Sequence, residues 1–132
     1  MTEAGARVAH ALPYDRATVG AIPMPGKPAR DKGAAGEREV VSLLRQVGWP
    51  KAERRYDQAA NGGSDIAHGP EGTCIEVKRA RRAVAVPAAM RQAEAAAGPH
   101  DIPIVLHRVD REPWRATLPA DELLALLRLR EA

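Results

Sequence analysis

The sequence contains no phenylalanine, and its 132 residues hold only four aromatics: Tyr14, Trp49, Tyr56 and Trp114. Proteins that read single strands stack bases on Phe, Tyr and Trp, so a chain this poor in rings does not build an RRM or OB-type platform. Cysteine is nearly absent too. Cys74 alone cannot close an internal disulfide, which points to a reducing cytoplasm. His10, His68, His100 and His107 are scattered without metal-ligand spacing, which argues against a zinc centre. No apolar run approaches the ~18 residues of a membrane span, and the N-terminus lacks the apolar core of a signal peptide. Nor is charge of one sign in large excess, since 20 Lys+Arg stand against 17 Asp+Glu for a net +3. That balance permits a nucleic-acid partner without requiring one. A chain of this length is a single domain, so one fold carries the whole function.

Among the basic residues, sixteen are arginine, and two clusters stand out: Lys51, Arg54 and Arg55, then Lys78, Arg79, Arg81 and Arg82. Either cluster could be no more than a solvated face. Residues 1–31 are rich in proline and glycine (Pro13, Pro23, Pro25, Pro28, Gly5, Gly20, Gly26) and show no period, so a flexible N-terminal arm is expected there and a folded domain over 32–132. Val40, Val41, Leu44 and Val47 recur at helical spacing, closed by Gly48 and Pro50, which predicts a helix over 33–47. AERRYD, DIAHG and TCIEVKR, separated by Gly-rich turns, predict a short antiparallel meander. Pro87 opens an Ala-rich helix that Gly98-Pro99 ends. IPIVLHRV and WRATL read as strands, and Pro119 starts a Leu-rich helix through about Arg128, giving the order αβββαββα.

Glu37 is the most informative position. At 3.6 residues per turn, Leu44 lies about 20° from it, Val41 about 40° and Val40 about 60°, whereas Glu39 points to the opposite side. A carboxylate on an apolar stripe needs a partner, a cation or a helix N-terminus beside it, and all three remain open for Glu37. In TCIEVKR the side chains alternate, so Cys74, Glu76 and Lys78 share one face while Ile75 and Val77 share the other, towards a core helix. Glu76 and Lys78 are about 6.6 Å apart along the strand, a spacing that also suits a plain ion pair. Asp65, eleven residues before Glu76 and directly after a Gly-rich turn, is placed by a hairpin beside it. Adjacent carboxylates repel unless a cation joins them, and hard oxygen ligands favour Mg²⁺ or Mn²⁺.

Asp65 followed by Glu76-Val77-Lys78 resembles the D…(D/E)xK signature of the PD-(D/E)xK nuclease superfamily, and Glu37 resembles its additional helical acid. The longer succession is more specific. Lys32-Gly33, Glu37-Arg38-Glu39, a Leu-rich helix ending at Gly48, Arg54-Arg55, Asp65-Ile66 and Ile75-Glu76-Val77-Lys78 resemble an archaeal-type Holliday-junction resolvase, in a small phage or bacterial version. The likeness spans roughly residues 32–118. It departs from the family pattern at Ser64, which stands where the motif has proline, in the long arm, and in the added C-terminal helix.

The resemblance implies a restriction-endonuclease-like α/β core, a central mixed sheet of about five strands flanked by helices. It implies a metal-dependent endonuclease that resolves four-way DNA junctions by paired phosphodiester hydrolysis. Glu37, Asp65, Glu76 and the Val77 carbonyl would hold Mg²⁺, with Mn²⁺ as a substitute. Lys78 would orient the attacking water, and Gln92, otherwise a surface helix residue, would bind water or phosphate. Lys32, Arg38, Arg54, Arg55, Arg79, Arg81 and Arg82 would grip backbone phosphates of the branched duplex. Cutting two symmetry-related strands implies a homodimer, for which the Leu-rich terminal helix offers apolar surface beyond one core stripe; core packing is the plainer reading of that helix. No membrane partner is expected, and the location is cytoplasmic, that of the host if the gene is a phage's. The alternatives are another small nuclease of the superfamily acting on other branched or linear DNA, and an idle DNA-binding protein of the same fold. His68 and Cys74 are expected to be a bystander and a packing residue, Ser64 to have no triad, and Trp114 to cover the core or a subunit contact.

Overall fold

A computed structural model describes residues 32–56 and 63–132; the arm expected over 1–31 lies outside them. Helix α1 (Lys32–Val47) ends where the sequence predicts. Gly48 takes a φ of +129°, and the Trp49 N–H donates to the Leu44 carbonyl at 2.9 Å, the backbone closure with which helices stop at glycine. Strand β1 (Glu53–Arg54) pairs antiparallel with β2 (Ile66–Ala67). Strand β3 (Thr73–Ala80) pairs parallel with β4 (Ile102–Val109), which pairs antiparallel with β5 (Arg115–Thr117). Helix α2 (Val86–Ala96), with proline in its first turn, makes the crossover between β3 and β4 that a parallel pair requires. Helix α3 (Ala120–Glu131) closes the chain, so the order αβββαββα is the expected one.

The described strands form two sheets, of two and three strands, rather than one sheet of five. Strand β2 is too short to carry a ladder onto β3. A single backbone bond crosses there, from the Asp65 N–H to the Ile75 carbonyl at 2.8 Å, and the Ser64 hydroxyl makes up the rest. Its Oγ accepts from Ile75 N–H at 2.9 Å and Ile66 N–H at 3.2 Å, and donates to the Ile75 carbonyl at 3.2 Å.

As the alternation of TCIEVKR predicts, Ile75 and Val77 face α1 and pack with Val40, Val41, Leu44, Ala52 and Ile66. On the other side of the three-stranded sheet, Ala89 and Ala93 of α2 close on Val105. Helix α1 comes close to β3 at Gly36, where a Cβ would lie 3.0 Å from the Arg79 Cβ and 3.6 Å from the Trp114 ring. Helix α3 packs differently from the plainer reading of its leucines. None of its residues is buried, and Leu123, Leu124, Leu126, Leu127 and Leu129 are 42–66% exposed. No helix among the described residues is long and apolar enough to cross a membrane.

Candidate active site

Three elements carry the predicted acids, and two of these acids, Asp65 and Glu76, adjoin. Asp65 directly precedes β2, with its carbonyl accepting from the Arg55 N–H at 2.9 Å and its N–H bound to β3. This double attachment holds the side chain against the middle of β3, where Oδ2 accepts from the Val77 N–H at 2.8 Å in a buried bond. Glu76 stands next along β3, 5% exposed, with Lys78 Nζ 3.3 Å from its Oε1. Glu37 reaches in from α1, its Oε1 accepting from Arg54 Nε at 2.9 Å. The Arg54 guanidinium lies 5.0 Å over the Tyr56 ring, which supports it from the outside.

The electrostatics single out Glu76. Burial pushes its carboxyl above the usual range, the Asp65 charge pushes further, and Glu37 adds a smaller push, while Lys78 opposes all three. Because the folded chain holds the Glu76 proton more tightly than the unfolded one, it binds more protons across the window from the ordinary carboxylate value up to the raised one. Stability falls as pH rises through that window. With divalent ions chelated, Glu76→Gln is expected to melt above wild type near neutral pH, with the gap closing towards about pH 4, where the wild-type acid is protonated in both states. Thermal melts at the two pH values check this, and a variant melting lower at neutral pH contradicts the burial penalty.

Among the described residues, no group of three His, Cys, Asp or Glu side chains is gathered tightly enough to hold an ion in this arrangement. Asp65 and Glu76 adjoin, and Glu37 is engaged by Arg54. The donor chemistry nonetheless suits a hard divalent cation: oxygen only, anionic, and carrying a charge that burial disfavours. Val77 contributes its amide to Asp65 and its side chain to the core.

Other predicted residues divide sharply. Arg38, Arg81 and Arg82 are exposed, and Lys32 is the first residue of α1. Arg55 is half-buried, its guanidinium against Gly63, whose φ of +94° and missing Cβ make the room. Gln92 lies exposed on α2 and is not brought to the acids by any hydrogen bond among the described residues. Arg79, expected to grip phosphate, is instead buried. Its side chain is 1% exposed and bound through Nη1 to Glu39 Oε2 at 2.8 Å, with Asp110 at 3.4 Å from Nη2.

Glu39 likewise departs from the wheel, being 5% exposed rather than turned to solvent. It accepts from Arg79, from Arg108 and, at 3.3 Å, from the Trp114 indole N–H. The wheel assumes one buried stripe, whereas α1 is covered on a second flank by β3, β4 and Trp114. A signal was present: Arg79 falls on the core-facing side of TCIEVKR, where a charge demands a buried partner. The Ser64 hydroxyl, for which no triad is expected, completes the ladder between β2 and β3.

His68, expected to be a bystander, is exposed at a φ of +59° with Nε2 3.5 Å from Glu53. The Cys74 thiol is pushed up by burial first and then by Asp101, Glu76 and Asp65, which suits packing and not nucleophilic attack. No protein-family model matches the chain, and no curated protein or solved structure gives a significant match.

Proposed function

We propose that this protein is a metal-dependent DNA endonuclease with a PD-(D/E)xK core, acting on four-way junctions. The observation that carries the reading is the attachment of Asp65 to Val77, which sets one carboxylate beside a second, buried and charge-burdened one at Glu76, with Lys78 on the same face. A plain ion pair needs one acid and one base, whereas here Asp65 lies beside the Glu76–Lys78 pair, and Glu37, held by Arg54, adds its charge to the same site.

When bound, Mg²⁺ supplies charge neutralisation at the scissile phosphate and a more acidic water. Asp65, Glu76 and Glu37 are the residues that would hold it. Lys78, 3.3 Å from Glu76, orients the attacking water and offsets the negative charge that grows on the phosphate in the transition state. Arg54 steers Glu37. Arg38, Arg81 and Arg82, all exposed, supply sequence-independent phosphate contacts whose strength falls with salt. Scarce aromatics agree with recognition of backbone and branch shape instead of bases.

Paired nicking needs two sites, so the working unit is a two-fold homodimer, with the exposed leucines of α3 as its apolar surface. The test is cleavage of a synthetic four-way junction and of matching linear duplex, each with Mg²⁺, Ca²⁺ or EDTA. Symmetric paired nicks on the junction with Mg²⁺ alone are expected. Equal cutting of both substrates moves the assignment to a general small nuclease, and no cutting with any divalent ion refutes it. Leu123→Lys with Leu127→Lys is expected to give a monomer by light scattering that no longer nicks in pairs.

A further inference from the structure

In the three-stranded sheet, Lys78 of β3 stands in register with His107 of β4, and His107 with Arg115 of β5. Residues in register on neighbouring strands present their side chains to one face. A lysine, a histidine and an arginine thus form a row across three strands, about 10 Å from end to end at the usual strand spacing. The adjacent pair on the opposite face, Arg79 beside Arg108, is held by the buried Glu39 between them. The Lys78 row is held far more loosely. Lys78 turns to Glu76, His107 Nε2 meets the Thr117 hydroxyl at 3.0 Å, and Arg115 has the exposed Glu112 at 3.9 Å.

Burial first, and then the Arg115 charge, push His107 towards its neutral form, so the charges of the row sit at its two ends. The Lys78 and Arg115 side chains there are 37% and 62% exposed, which leaves both ends open to an anion lying along the face. The row also begins at Lys78, inside the candidate active site.

We infer that Lys78, His107 and Arg115, with the Thr117 hydroxyl, form a track for consecutive backbone phosphates of DNA running from the candidate active site across the sheet to β5. The inference rests on the nuclease reading for its direction: Lys78 lies at the scissile phosphate and Arg115 at a neighbouring one. His107 in its neutral form and Thr117 bond to each other, and of their two donors one is left for a phosphate between the two charges. Such contacts set the register of the duplex and carry no sequence information.

The test titrates a labelled four-way junction with full-length wild type and Arg115→Gln in EDTA, over a salt series. Arg115→Gln is expected to weaken binding about 3–10-fold at low salt and to lower the slope of log affinity against log salt by about 1. Arg115→Lys should keep most of that slope, and Arg128→Gln on α3 should keep all of it. Wild-type affinity and slope in Arg115→Gln would overturn the track, as would failure of the wild-type chain to bind DNA. The nuclease reading is judged separately, by cleavage. A chain that cuts junctions but is indifferent to Arg115→Gln loses the track and keeps the nuclease; one that binds through Arg115 and never cuts does the reverse.

Discussion

Asp65→Asn is expected to lower strand cleavage by at least about 10²–10³-fold while leaving the fold and junction binding nearly intact. The asymmetry follows from the two jobs of this side chain. One is structural: Oδ2 accepts the buried Val77 N–H, and an asparagine carbonyl can accept the same bond in the same place. The other is electrostatic, and an amide cannot supply the negative charge that a bound cation would meet. Glu76→Gln should lose cleavage comparably. The decisive comparison is between cleavage rate and dissociation constant measured on one junction. If Asp65→Asn cuts at the wild-type rate, the acids of this site are not its chemistry. If it fails to bind as well, the loss is one of folding, which circular dichroism separates.

Glu39→Gln is expected to destabilise the fold by about 3–5 kcal/mol, because it removes the buried anion that Arg79 and Arg108 share, with Asp110 remaining 3.4 Å from Arg79. The Arg79 and Arg108 side chains are 1% and 9% exposed, so water cannot replace the lost partner. Set against a total stability of ~5–15 kcal/mol, that loss lowers the melting temperature by more than about 10 °C. Glu37→Gln should behave oppositely. Its partner Arg54 keeps 20% of its side-chain surface and a face of Tyr56, so stability changes little while cleavage falls. Melting and cleavage measured on both variants separate the roles of two acids that are only two residues apart. Equal melting temperatures for Glu39→Gln and wild type would mean that the arginine cluster does not hold α1 to the sheet.

The same two residues show where sequence reasoning stops. A helical wheel sorts positions by angle around one axis, and it correctly sets Glu37 near Val41 and Leu44. It contains nothing about how many neighbours the helix has. Helix α1 meets the Ile75–Val77 face with one flank, and with the next flank it meets Arg79, Arg108 and Trp114, drawn in by the missing Cβ of Gly36. Strand alternation was a safer guide, because a sheet has only two faces: Ile75 and Val77 inward, and Glu76 and Lys78 together on the other side. It also placed Arg79 with Ile75 and Val77, and that implication outweighs membership in a basic cluster. Ser64 was illegible for another reason. Whether a hydroxyl fills a gap in a ladder depends on how short β2 is, and strand ends are set by pairing and not by residue preference.

By itself, then, the shortage of rings, cysteines and excess charge narrowed the classes of partner, and local spacing determined α1, β3, their ends and the common face of Glu76 and Lys78. These are short-range consequences of backbone period, readable wherever a pattern repeats. Only the tertiary structure decided which charges are buried, that Asp65 is tied to Val77, that α3 leaves its leucines uncovered, and that Lys78, His107 and Arg115 share a row. Each of those depends on segments distant in the chain meeting in space. The free energy of a charge is set by what surrounds it there, which its position in the sequence does not reveal.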